Sequence, residues 1–202
     1  EGGVKGSVLN GALSFDASVF HIDWNDIQLN SLVNGIVLQG NAASATVDGF
    51  ELEFTARPTD LLTISASTGH TDAKVKDIDA SAASVTSARA GDKLPLTPDW
   101  TTSVLVDQVL PFSESVVGNL GATLRFQSEA PSTFPGLDPT PQQTLPEITT
   151  VDLRASATFD ERYTVQFRVD NATDKLGFTN VGTAGGVLIR PRTITLGLSA
   201  RF

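Results

Sequence analysis

The nine residues Ile194-Thr195-Leu196-Gly197-Leu198-Ser199-Ala200-Arg201-Phe202 alternate apolar and polar without a break and stop on an aromatic ring. A period of two puts Ile194, Leu196, Leu198, Ala200 and Phe202 on one face of a strand, and Thr195, Gly197, Ser199 and Arg201 on the other. A half-buried strand of a soluble sandwich would read the same way in isolation. The closing strand of an outer-membrane barrel does so with its apolar face turned to lipid, and an exposed terminal Phe suits that setting better.

The pattern recurs. Alternating β-segments are read at 3–8, 12–29, 46–57, 62–74, 100–110, 117–127, 150–159, 163–170 and 194–202. In the eighth, Tyr163, Val165, Phe167 and Val169 oppose Thr164, Gln166, Arg168 and Asp170; in the seventh, Val151, Leu153, Ala155, Ala157 and Phe159 oppose Asp152, Arg154, Ser156 and Thr158. The second changes parity, from Leu13, Phe15, Ala17 and Val19 to Phe20, Ile22 and Trp24, which reads as a bulge. Hydrophobic residues make up 40% and charged residues 18%, with a mean hydropathy of +0.02. That is too little charge for disorder and too little apolar content for membrane helices, but it fits strands of which only alternate residues meet lipid.

Connections alternate between short (9–11, 57–60, 111–115, 160–162) and long, polar or Pro/Gly-rich (30–45, 75–99, 128–149, 172–188). Outer-membrane barrels have this asymmetry, with short periplasmic turns and long extracellular loops. Arg125, Asp152, Arg154, Arg168, Asp170 and Arg201 fall on the polar faces and are expected to face a wide or plugged lumen, since a small closed interior makes unpaired charge costly. Trp24, Trp100 and Tyr163 lie near predicted strand ends and are expected in the interfacial aromatic girdles. The expected fold is therefore an all-β antiparallel transmembrane barrel meander. Nine strands cannot close with all neighbours antiparallel, so the simplest inference is that this is the C-terminal part of a larger barrel. If 3–8 does not span, eight strands remain and a small barrel could close.

Five stretches carry a family resemblance. FHIDWNDIQL (20–29) and NAASATVDGFELEF (41–54) look like paired strands of the TonB-dependent outer-membrane receptors; KLPLTPDW (93–100) resembles the entry into a later strand, and DNATDKLGF (170–178) a hairpin exit. RPRTITLGLSARF (190–202) resembles the closing strand. Departures are Val47-Asp48, where a basic residue is common, and Ala172, where Leu is usual. The resemblance implies a barrel of about 22 strands around a plug, with the plug and the N-terminal strands missing here. It implies import of a scarce ligand, such as a siderophore, metal chelate or glycan, with TonB-derived energy and without cofactor or catalysis. The implied partners are the plug and remaining barrel strands, outer-membrane lipid and lipopolysaccharide, the TonB complex through the missing N-terminal part, and the barrel-assembly machinery. That machinery would read the terminal strand, Ile194 to Phe202, by edge addition. A self-contained outer-membrane barrel acting as adhesin, anchor or structural element, and a soluble all-β binding module, are the alternatives.

Other chemistry is weakly signalled. Lys and Arg number 14 against 23 Asp and Glu, a net charge of −9, so the basic face that nucleic acid needs is lacking. There is no cysteine for a thiolate metal site. His70 with Ser67 and Asp72 could spell a triad, but they crowd one strand end, whereas a triad needs members converged from afar. Asp77, Asp79 and Asp92 read as solvated loop carboxylates. The Gly182-Thr183-Ala184-Gly185-Gly186 stretch reads as a mobile loop and not a phosphate cradle, because no helix follows it.

Overall fold

The computed structural model describes residues 1–135, 143–182 and 185–202, without the side chains of Ser31 and Leu32. The elements are β1 (Gly2–Val8), β2 (Leu13–Val33), β3 (Ile36–Thr59), β4 (Leu62–Ile78), α1 (Ala80–Thr86), β5 (Trp100–Ser113) and β6 (Val116–Gln127). They continue with β7 (Ala130–Pro131), β8 (Thr144–Leu145), β9 (Ile148–Phe159), β10 (Tyr163–Asp170), β11 (Phe178–Gly182), β12 (Gly185–Leu188) and β13 (Thr193–Ala200). Nine strands form one antiparallel sheet in the order β1-β2-β3-β4-β5-β6-β9-β10-β13, while β7-β8 and β11-β12 are separate small hairpins. β1 and β13 are its two edges and do not pair with each other.

One row of backbone partners crosses the whole sheet: Val8, Leu13, Ala56, Ile64, Val106, Ala122, Leu153, Val169 and Ile194. Every member is apolar. The row starts at the short-turn end of β1 and finishes at the loop-bearing end of β13, so the strands are strongly staggered, as barrel curvature requires. A neighbouring row on the other face reads Thr63, Asp107, Gly121, Arg154, Arg168 and Thr195. The apolar face is left uncovered, with Leu196 68% and Leu198 78% exposed and Leu153 and Phe167 nearly half exposed. Between Tyr163 and Val169 the apolar band spans seven residues, about 23 Å at strand rise, close to the lipid-facing band of outer-membrane barrels.

Buried apolar residues instead gather at the loop-bearing end: Ala42, Ala45, Ala73, Val75, Ala82, Ala88, Ala130, Leu145 and Ile148. Here α1 packs against β2 and β3, and Ala82 and Ala45 are 0% and 1% exposed. The Asp79 N–H donates to Ala42 O (2.8 Å), and residues 91–94 run along β4, with Val75 N–H to Asp92 O at 2.9 Å and Leu94 N–H to Ala73 O at 3.0 Å. The 75–99 connection thus folds back onto the ladder.

Two expectations need correction. The segment 30–45 is no loop: β2 and β3 pair up to Val33 and Ile36, closed by the two-residue turn Asn34-Gly35, with φ of 52° and 81°. Both residues have positive φ, the condition that makes Asn-Gly a tight-hairpin signal. Nor is there a bulge at Val19-Phe20, since the β2-β3 register is continuous from Leu13 to Trp24 and breaks only beyond it, around Asp26 (φ 59°). The parity change therefore turns Phe20, Ile22 and Trp24 to the opposite face from Val19. The short turns at 9–11 and 160–162 lie where expected, while those expected at 57–60 and 111–115 tighten to 60–61 and 114–115 because β3 and β5 run on to Thr59 and Ser113.

Candidate functional site

The polar face lines a concavity of about 670 Å³. Glu51, Glu53, Arg125, Asp152, Arg168 and Arg190 border it, and Thr179 of β11 and Ile189 close it at the loop end. Alternation brings the strand-borne charges here, and ion pairs across and along the strands then neutralise several of them. The Arg154 guanidinium reaches Asp107 two strands away, donating from Nη2 at 2.6 Å and Nε at 3.2 Å, and from Nη1 to Thr123 Oγ1 at 3.2 Å. It can do so because the intervening residue is Gly121, where a Cβ would fall on the guanidinium. Arg125 donates to Asp152, and Arg168 Nε donates to Asp170 Oδ1 at 2.6 Å.

Asp152 also ties this face to the loops, through the Asn171 N–H on its Oδ1 at 2.8 Å. Asn171 is 4% exposed and follows β10 with φ 49°. Its amide donates to Lys175 O (2.9 Å) and Arg190 O (3.2 Å) and accepts the Lys175 N–H (2.9 Å). This one side chain joins the exit of β10 to the approach to β13. Sequence reasoning did not single it out, although Asn in a left-handed position, four residues before a chain return, is a recognisable signal.

Of the predicted lumen set, Arg125, Asp152, Arg154, Arg168 and Asp170 share the concave face. Arg201 follows β13, where its N–H donates to Arg162 O at 2.9 Å. Ile194, Leu196, Leu198 and Ala200 lie on the uncovered apolar face, and Phe202 is fully exposed beyond the strand.

The aromatic residues part company. Trp100 stands on the apolar face at its loop-bearing limit, 4.8 Å from His70, which stacks on Phe50 at 5.6 Å. Tyr163 stands at the turn end of the same face, cross-strand from Phe159. Trp24 pairs with Ala45 and lies on the concave parity, opposite Trp100, because the expected bulge is absent. It therefore does not belong to an outward girdle.

His70 and Ser67 have opposite parity on β4, so the triad does not assemble. Among the described residues no group of three or more His, Asp or Glu side chains is arranged to hold a metal. In the glycine-rich stretch, Gly182 ends β11 and Gly185 opens β12, so its flanks form a hairpin and not a loop; Thr183 and Ala184 lie outside the described residues.

A family model described as TonB dependent receptor-like, beta-barrel matches residues 1–172. The chain belongs to the TonB-dependent receptor β-barrel family. TonB-dependent receptor barrels are outer-membrane proteins of Gram-negative bacteria, which identifies the uncovered apolar face as the lipid face and the concave face as the inner wall. The same fold is found in the ferric yersiniabactin uptake receptor FyuA of Yersinia pestis, with TM-score 0.78, 16% identity, and coverage of 99% of this chain and 29% of that one. The siderophore receptor PiuA of Acinetobacter baumannii gives TM-score 0.74, 18% identity and coverage of 98% and 27%. The ferric-catecholate import receptor Fiu of E. coli K12 gives TM-score 0.73, 19% identity and coverage of 99% and 27%. The chain thus spans less than a third of these receptors. No curated sequence matches it.

Proposed function

We propose that this chain is the C-terminal portion, over residues 1–202, of an outer-membrane active transporter that imports a scarce iron chelate of the siderophore type, with energy delivered through TonB. The observation that carries this reading is the combination of an unclosed sheet with a charged concave wall. β1 and β13 are both unpaired edges, and lipid cannot solvate the open N–H and C=O groups of an edge. Further barrel strands of the same protein would pair them, and a plug would sit against the Arg and Asp side chains of the inner wall. TonB would act on the missing N-terminal part. Solved receptors of the same fold include those for ferric yersiniabactin and ferric-catecholate uptake, which supports an iron chelate over a glycan. The chain itself does no covalent chemistry.

The test is uptake of radiolabelled ferric siderophores by cells with and without the intact gene. Uptake should require the gene and stop when the proton gradient is collapsed, while surface binding persists. Uptake of every chelate unchanged by gene loss would overturn the reading. The terminal strand, Ile194 to Phe202, is assigned to recognition by the barrel-assembly machinery through edge addition. Deleting Phe202 from the intact protein should lower its outer-membrane abundance, seen by quantitative immunoblot, with uptake per assembled molecule unchanged.

A further inference from the structure

The concave wall is electrically sorted. Glu51 and Glu53, which have no ion partner among the described residues, stand on β3, whereas Arg125, Arg168 and Arg190 border the same concavity from β6, β10 and the approach to β13. Three strand separations, about 14 Å at the usual spacing, lie between β3 and β6. The arginines also share a level. Arg125 lies two residues before the loop-bearing end of β6, Arg168 two before that of β10, and Arg190 three before β13 begins. They therefore stand at the mouth of the wall.

We infer that this cationic side of the mouth selects an anionic iron chelate, one whose metal is held by catecholate or carboxylate oxygens, over a neutral hydroxamate chelate. The inference rests on the reading of the intact protein as an iron-chelate importer and names the class of its cargo.

Exposure supplies the first argument. Four carboxylates border the concavity against three guanidiniums, yet two of the four are turned into the wall and the other two stand across it. The Arg125 and Arg168 side chains are 55% and 60% exposed, their partners Asp152 and Asp170 only 15% and 16%. On this side a solute touches guanidinium before carboxylate. Donor capacity supplies the second. A guanidinium has five N–H groups; Arg125 gives one to Asp152, and Arg168 gives its Nε–H to Asp170. Both Nη groups of Arg168 remain as a planar fork that matches paired anionic oxygens. Arg154, beside Arg168 in the ladder, is spent within the wall on Asp107 and Thr123.

Fixation supplies the third. Arg190 is exposed and has no carboxylate partner among the described residues, but its backbone is held. The Asn171 amide donates to Arg190 O at 3.2 Å, and the Ile189 N–H to Gly177 O at 2.9 Å. A charge carried on a fixed backbone loses less freedom when it engages a ligand. Glu51 and Glu53 repel an anion, which seats the chelate on the arginine side.

The experiment measures retention of radiolabelled iron chelates by the intact protein, purified in detergent, in equilibrium dialysis. Ferric enterobactin and ferric citrate carry net negative charge, and ferrichrome is neutral. At least one anionic chelate should be retained about tenfold or more above ferrichrome, and Arg190→Gln should weaken that retention by about tenfold, the scale of one charge-assisted hydrogen bond. Arg190→Lys should restore only part, because an ammonium lacks the fork. Asp170→Asn should strengthen retention by freeing Arg168, where a merely structural pair gives no gain. Arg168→Gln/Asp170→Asn, which removes the pair without stranding a carboxylate, should weaken it, each variant keeping its heat-resistant gel mobility. Retention of the catecholate alone assigns the anionic oxygens to catechol, and of citrate alone to carboxylate. Equal or better retention of ferrichrome, or an anionic preference untouched by Arg190→Gln and by Arg168→Gln/Asp170→Asn, would overturn the inference and leave the importer reading standing. If no chelate of either class is retained, the importer reading itself falls.

Discussion

The lower and upper halves of β2, β3 and β4 are the same strands, their register continuous across the row Val19, Phe50 and His70, yet their faces are exchanged. Below Val19, Phe50 and His70, apolar side chains face outward and Ser, Thr and Glu face the concavity. Above them His21, Asp48, Asp72 and Lys74 face outward, while Phe20, Ile22, Val47, Ala45, Ala73 and Val75 take the other side, where Ala45, Ala73 and Val75 are buried and Ile22 stays about half exposed. A strand has only one alternation, so the sequence accommodates a change of surroundings by swapping which parity is apolar. The pleat continues undisturbed; the solvent changes sides. A parity switch in a barrel sequence can therefore mark the membrane boundary rather than a bulge.

The comparison breaks most readily in the middle of the lower half. Leu196→Arg on the lipid face should cost about 2–4 kcal/mol, read as a loss of folding free energy of the intact barrel in lipid vesicles; an equal cost at outward-facing Thr46 in the upper half would erase the distinction between the halves. A smaller contrast comes from enlarging alanines. Ala45→Leu, beneath α1 at 1% exposure, should cost about 1–3 kcal/mol by overpacking and speed hydrogen exchange in α1. Ala17→Leu on the lipid face should be close to neutral.

On the concave wall, Gly121→Ala pushes the Arg154 guanidinium away from Asp107. The pair is about two-fifths exposed, so the loss should be about 1 kcal/mol or less, and it should vanish in an Arg154→Ala background. The smallest effect sharpens the upper half. His21, beyond the apolar band, has its imidazole held above its ordinary value, first by the hydrogen bond to Asp48 Oδ1 (2.7 Å) and next by that to Asp23 (3.3 Å). A raised value means that the protonated pair contributes below the unfolded-state pKa and is lost as pH rises through the folded one. NMR titration of the ring should show Asp48→Asn lowering the midpoint more than Asp23→Asn does.

Much of the fold was legible because lipid enforces a strict period of two, as in Thr150 to Phe159 and Tyr163 to Asp170. Outside the lipid that constraint lapses. The polar, Gly-containing run from Asn30 to Ala45 read as a loop because composition outweighed the Asn34-Gly35 turn signal within it. The concave charges could be assigned a face from parity, but their partners could not. Arg154 finds Asp107 only through the register of three strands and the missing side chain at Gly121. Asn171 lies in the stretch that resembles a hairpin exit, but its role could not be read there, since its acceptors at Lys175 and Arg190 meet only after the chain has returned.

The β2-β3 hairpin continues from Phe20 to Val33 above the lipid boundary, about 45 Å of strand at the usual rise. Its ladder has an interruption of two successive register shifts, between Trp24 and Ile27 and between Ile27 and Gln28, and then closes in a two-residue turn. Such a ribbon can lean at that interruption but cannot fold flat without breaking its cross-strand bonds. It behaves as a mast rather than a lid. The tip, with exposed Val33, Ile36, Val37 and Leu38, thereby stands well clear of both the apolar band and the concave wall.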